Sequence, residues 1–174
     1  FIGMNTAGPG ASAIFIRGLG YADIEKTQTP SVGVVLDGVV FGTSTGQLLD
    51  TFDLNQVEVE RGPQGIFFGQ NTTAGVINAT RTDPTREFGF KGSASYGSYG
   101  STVLRGIFNA PLGEDGVIKL GGTWLYNYCD YYNVFDNTHA GGDRYMALNA
   151  VVDYVLTDWL NAKFSLDRIH EKGG

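Results

Sequence analysis

The chain has 174 residues, is 42% hydrophobic and only 17% charged, and contains 26 Gly, 11 Phe, 9 Tyr, 5 Pro and 1 Cys. With 12 Lys and Arg against 18 Asp and Glu the formal net charge is −6, and the acidic excess runs through both halves; the basic stripe that a phosphate backbone needs is missing, so nucleic acid is excluded as a partner. The single Cys129 excludes an intramolecular disulfide framework and a cysteine-based zinc site, and no apolar run approaches the roughly 18 residues of a spanning helix.

The chain opens on Phe1-Ile2-Gly3, without an initiator Met or a basic leader, and so reads as the middle of something longer. Up to about residue 84 the apolar segments are compact and irregular: residues 13–16, 31–41 (SVGVVLDGVVF), 57–60 (VEVE) and 75–79 (GVINA). Between them lie glycine-punctuated loops and one predicted short helix over residues 47–54. This texture predicts a small mixed α/β globule.

From Phe88 onward the pattern changes to period two. Ile118, Leu120, Gly122, Trp124, Tyr126 and Tyr128 alternate with Lys119, Gly121, Thr123 and Asn127. Met146, Leu148, Ala150, Val152, Tyr154 and Leu156 then alternate with Asn149, Val151 and Asp153, and Leu160, Ala162, Phe164 and Leu166 with Lys163, Ser165 and Asp167. With weaker copies over residues 88–99 and 101–111, about five strands of roughly ten residues are predicted, longer than the usual five or six. Residues 112–116 (LGEDG) and 156–159 (LTDW) are tight turns, whereas residues 129–144 form a long polar loop. Long strands, short turns at one end, a long loop at the other and aromatic residues near both ends are the signature of an outer-membrane barrel, although a soluble antiparallel sandwich would alternate too.

Few residues suggest bond chemistry. Gly42-Thr43-Ser44-Thr45-Gly46 matches the G-x-S-x-G of a serine hydrolase elbow, with His139 and His170 as the available bases. A hydrolase of that kind needs a mostly parallel sheet, whereas the pattern downstream is antiparallel and amphipathic, so a plain Gly/Ser/Thr loop is the better reading. Asp37, Asp50, Asp53, Glu58 and Glu60 are scattered without metal-ligand spacing. No metal site and no cofactor is expected.

Residues 57–78 (VEVERGPQGIFFGQNTTAGVIN), with IRGLG at 16–20 and VLDGV at 35–39, closely resemble the plug of TonB-dependent outer-membrane receptors. Asp83-Pro84-Thr85 resembles the family's exit into the first barrel strand, so residues 1–84 correspond to a partial plug and 85–174 to the first strands of an incomplete barrel. The resemblance implies an α+β plug globule followed by antiparallel transmembrane strands of a barrel of about 22 strands, in the bacterial outer membrane. It also implies that a signal peptide, the N-terminal box gripped by the energy-coupling protein and most of the barrel lie outside this stretch, which thus reads as an internal fragment. Residues 66–70 (IFFGQ) depart from the family's more usual Thr-Leu-Tyr-Gly-Arg type of run, which leaves the ligand class open.

The function implied is import, without bond chemistry, of a scarce ligand: a ferric siderophore or similar iron complex first, with cobalamin or an oligosaccharide as alternatives. The implied partners are the TonB energy-transducing complex of the inner membrane, outer-membrane lipid and the small-molecule ligand. Tyr21 and Asp23 in residues 21–29, and Phe41, Thr43, Ser44 and Thr45 in residues 41–47, match apex loops of the family and are the expected ligand contacts. Tyr131, Tyr132 and Asn133 are a further candidate patch, and Arg17, Glu58, Glu60 and Arg61 are expected to make charged contacts between plug and wall. A hydrolase built on Ser44 and a secreted β-rich binding module are the competing readings.

Overall fold

The structure, a computed structural model, describes residues 2–6, 12–20, 30–42, 51–68, 72–128, 131–135, 137–140 and 142–173. The chain divides into two compact units, Phe1–Thr82 and Asp83–Gly174.

The first unit opens with β1 (Ile2–Thr6), β2 (Ser12–Ile16) and β3 (Leu19–Gly20), which form an antiparallel three-stranded sheet. A second sheet contains β4 (Val32–Leu36), β5 (Val39–Phe41), β6 (Leu54–Arg61) and β7 (Gly75–Arg81) in the order β5-β4-β7-β6, and the only parallel pairing described is β4 with β7. Both short hairpins turn on two residues of positive φ, Arg17-Gly18 at 55° and 81° and Asp37-Gly38 at 51° and 82°. Such turns match the right-handed twist of the flanking strands, which explains why IRGLG and VLDGV are compact sequence units. Ile14, Ile16, Val32, Val34 and Ala74 form the core, with Phe41 and Ile77 packed against it.

Within residues 57–78, β6 runs into a single helical turn, α1 (Gly65–Phe68), and returns as β7 beside it. Gly75 sits at φ 149°, and a Cβ there would lie 2.4 Å from the Glu60 carbonyl oxygen and 2.9 Å from Ile16 Cδ1. That close approach seats β7 between β4 and β6. The helix expected over residues 47–54 is corrected where it is described: Thr51–Asp53 make one 3-10 turn and Leu54 already begins β6, while residues 47–50 lie outside the described residues. Strand pairing wins there, because Leu54 pairs with Arg81 and the Asp53 carbonyl accepts from the Thr82 N–H at 2.9 Å.

In the second unit β8 (Gly89–Tyr96), β9 (Thr102–Leu112), β10 (Gly116–Tyr126), β13 (Asp143–Thr157) and β14 (Leu160–Gly173) form one antiparallel sheet in the order β14-β13-β10-β9-β8. They are 8, 11, 11, 15 and 14 residues long, as the period-two pattern predicts. Residues 113–115 and 158–159 are the tight turns. The predicted long loop carries its own small hairpin, β11 (Tyr131–Asn133) with β12 (Thr138–Ala140).

Candidate functional site

Of the expected ligand contacts, Tyr21, Asp23, Thr43, Ser44 and Thr45 lie outside the described residues. Phe41 closes β5, half-buried against the core. In the long loop Tyr132 is exposed and donates its hydroxyl proton to Asn137 Oδ1 at 2.7 Å.

Arg17 occupies the first position of its hairpin turn and is exposed. Glu58, Glu60 and Arg61 lie on β6, the edge strand of the four-stranded sheet. Glu58 accepts hydrogen bonds from Gln56 Nε2 at 2.8 Å and Asn78 Nδ2 at 3.4 Å, while Val57 and Val59 on the opposite face are exposed. Among the described residues no group of His, Cys, Asp and Glu is placed to hold a metal ion.

Sequence reasoning missed the ties that fix the exit of the first unit. The Asp37 carboxylate accepts from the Arg81 N–H at 2.9 Å and pairs with its guanidinium at 3.5 Å, and the Asp37 N–H donates to the Ala79 carbonyl at 3.0 Å. The VLDGV turn therefore clamps the far end of β7. Two residues on, the chain is strapped along the second unit: Lys163 Nζ meets Asp83 Oδ1 at 2.7 Å, the Thr85 N–H donates to Asn109 Oδ1 at 3.3 Å, and Arg86 donates to the Glu114 carbonyl. The hydrogen bond and charge of Lys163, with the charge of Lys119 adding to them, hold the Asp83 carboxyl below the ordinary aspartate range.

The large sheet has two faces of opposite character, and they are inverted relative to a water-soluble protein. Direct ladder partners share parity throughout, apart from one bulge near Val155, so all odd residues of the five strands share one face and all even residues the other. The odd face carries Lys119, 0% exposed, together with buried Ile107, Val117 and Val151. A lysine is almost never so buried unless partnered. The even face is apolar yet open: Phe90, Leu104, Leu120, Trp124, Leu148, Phe164 and Leu166 are all exposed. A sandwich would bury that face; a contiguous exposed apolar surface of this extent calls for a non-aqueous solvent.

The apolar band on the even face also slants. Phe88 and Tyr96 bound it on β8, whereas on β14 it runs from Leu160 to Leu166, with the Leu166 row lying level with Phe90. Over the four pairings the two edges of the band shift the same way, by about one and about one and a half residues per strand; with about 3.3 Å per residue and about 4.8 Å between strands, this is a tilt of roughly 35–45°. That is the tilt of strands in a membrane barrel. No described helix is long and apolar enough to cross a membrane.

Residues 2–76 match the model of the TonB-dependent receptor plug domain. Over 122 residues, 69% of this chain and 14% of the relative, the sequence is 34% identical to the catecholate siderophore receptor Fiu of Escherichia coli K12. Over 121 residues, 70% of this chain and 14% of the relative, it is 29% identical to the ferric-pyoverdine 358 receptor of Pseudomonas putida. The fold is similar to that of the ferric yersiniabactin uptake receptor FyuA from Yersinia pestis, with a TM-score of 0.73 and 23% identity over 97% of this chain and 27% of that one. The chain thus spans about one seventh of the length of the curated relatives it matches, 14% in each case.

Proposed function

Because the chain belongs to the TonB-dependent receptors of the outer membrane, a family of receptors and not of enzymes, we propose that the receptor built on it imports a ferric siderophore. The observation that carries this reading is the 34% identity to a catecholate siderophore receptor, which runs over 69% of the chain. The Ser44 hydrolase drops out with the family, and the inverted sheet speaks against a secreted, water-soluble module.

In this reading residues 88–173 line one arc of the barrel wall, with the even face to lipid and the odd face to the lumen. Tyr21, Asp23, Phe41, Thr43, Ser44 and Thr45 supply aromatic surface and hydrogen-bonding groups toward the outside. Arg17, Glu58, Glu60 and Arg61 meet the wall, β6 being an edge strand with both charge and apolar surface to offer it. The TonB complex supplies the pull, and the ties of Asp37 to Arg81 and of Asp83 to Lys163 hold the plug's exit while its other end moves. Cobalamin and oligosaccharide are the lesser candidates for the ligand, because both curated relatives named above are siderophore receptors.

The test is uptake of radiolabelled iron by cells with and without the gene, supplied as ferric catecholate, hydroxamate or mixed-chelate siderophore. Uptake of at least one chelate should vanish on deletion and on collapse of the inner-membrane proton gradient. Uptake of every ferric chelate at the parental rate in the deleted strain contradicts the siderophore reading.

A further inference from the structure

The even face of the five long strands carries no carboxylate at all, and its only basic side chains are Arg144, Arg168, Lys172 and the imidazole of His170. All four gather at one corner. Lys172 lies directly across from Arg144, His170 from Met146 and Arg168 from Leu148, and all four side chains are exposed. The same stretch sorts its acids to the other face, at Asp143, Asp167 and Glu171. In a chain of net charge −6 this separation of sign by face is a local feature that overall composition does not supply. Two like charges directly opposite each other destabilise a ladder, so the Arg144 and Lys172 pair calls for an anion beside it.

The position identifies the anion. The corner lies at the end of the sheet that carries the long loop, the outer side of a membrane barrel, just beyond the last apolar outward residue, Leu166. From Trp159 at the opposite turn to Arg168 is about 23 Å along the membrane normal, at about 3.3 Å per residue and a tilt near 40°. A lipid-facing apolar band is about 25 Å tall, so Arg168 and His170 stand at the height of the lipid headgroups. Beneath them Leu148, Ala150, Phe164 and Leu166 continue as apolar wall. Beside them the Arg144 guanidinium lies 5.3 Å from the centre of the Tyr126 ring, which stacks on Trp124 at 5.9 Å and 4°, an aromatic floor that orients the cation.

We propose that this corner is a docking site for a phosphate-bearing lipid of the outer leaflet, its phosphates held by Arg144, Arg168 and Lys172 and its acyl chains lying along β13 and β14. A guanidinium fork matches phosphate oxygens, and the apolar surface immediately below commits the site to a lipid over a free anion. The proposal rests on the barrel reading above and adds to it a site on the outside of the wall, away from the ligand path.

The test uses the intact receptor purified in mild detergent, with retained lipid read by native mass spectrometry. The probes are bisphosphorylated lipid A, its dephosphorylated form and inorganic phosphate. The parent receptor should retain the bisphosphorylated lipid, more weakly as salt rises, while R144Q/R168Q/K172Q retains about tenfold less and R144K/R168K, which keeps the charge and loses the guanidinium fork, falls between the two. The dephosphorylated lipid should bind neither form, and millimolar phosphate should not displace the lipid. Equal retention by the triple variant, equal binding of the dephosphorylated lipid, or displacement by phosphate would each overturn the site. Absence of the parent receptor itself from the outer-membrane fraction overturns the barrel reading and the site together, whereas presence there with unaltered retention overturns the site alone.

Discussion

Gly75 and Asp37 show how individual residues hold the plug motif in place. At Gly75 the backbone adopts φ 149° and a Cβ would meet the Glu60 carbonyl oxygen at 2.4 Å, so Gly75→Ala combines strain with a clash on backbone. It should destabilise the first unit by about 1–3 kcal/mol, read as faster hydrogen exchange of the β4, β6 and β7 amides in the intact receptor. Exchange unchanged in all three strands would contradict the close packing at Gly75. Asp37→Ala removes acceptors from the Arg81 N–H and guanidinium and should cost about 1–3 kcal/mol, seen first as exposure of β7 to protease. The turns at Arg17-Gly18 and Asp37-Gly38 emerge only in the structure, because residues 31–41 present one apolar run and Arg17 and Asp37 are not residues that by themselves announce positive φ. The partners of Asp37 were not legible either, because Arg81 lies 44 positions away and no local pattern links them.

Among the elements, period two announced the five long strands because one face of each meets a solvent unlike the other. Where no such alternation constrains the chain, reading failed: residues 51–54 turned out to be a 3-10 turn and the start of β6, and the β11–β12 hairpin was hidden within a polar loop. The lipid-facing assignment gives a sharp comparison between neighbours. Phe164→Arg places a charge near mid-membrane and should cost about 2–4 kcal/mol, whereas Ser165→Arg on the other face should change stability by about 1 kcal/mol or less. Heat-modifiable migration of the receptor after titration with urea measures both, and equal effects would contradict the assignment of faces. The strap ahead of β8 depends on pH. The Asp83 carboxyl is held below its ordinary range, so the folded state binds its proton less readily than the unfolded chain does. Its contribution, under about 1 kcal/mol for so exposed a pair, is complete at neutral pH and disappears only as pH falls through that lowered value. Lys163→Gln should loosen the amides of Asp83 and of residues 85–87 at pH 7 and make no further difference in strong acid. Protection of those amides that is indifferent to the substitution at pH 7 would show that the pair does not hold the strap.

For the whole molecule, the order of a glycine-punctuated globule followed by long amphipathic strands was readable, since each half obeys a different periodicity and the plug motif fixes what the first half is. The expected ligand contacts were less legible, because Tyr21, Asp23 and Thr43 to Thr45 fall in stretches with no apolar periodicity; those five lie outside the described residues, and Phe41 alone of the six is placed, packed on the core. An isolated chain with five long strands, open edges and an exposed apolar face should aggregate in water and disperse only in detergent. A soluble, cooperatively unfolding monomer would contradict that. The assignment of the even face of β13 to lipid is tested most directly by spin-label accessibility along that strand in the intact receptor in outer-membrane vesicles, with Cys129 replaced by serine and single cysteines placed from Ala147 to Val152. Labels at Leu148, Ala150 and Val152 should be relaxed by oxygen and shielded from a water-soluble nickel chelate, while those at Ala147, Asn149 and Val151 should not be relaxed by oxygen to the same extent. Loss of that alternation, or nickel access at the even positions, would contradict the assignment.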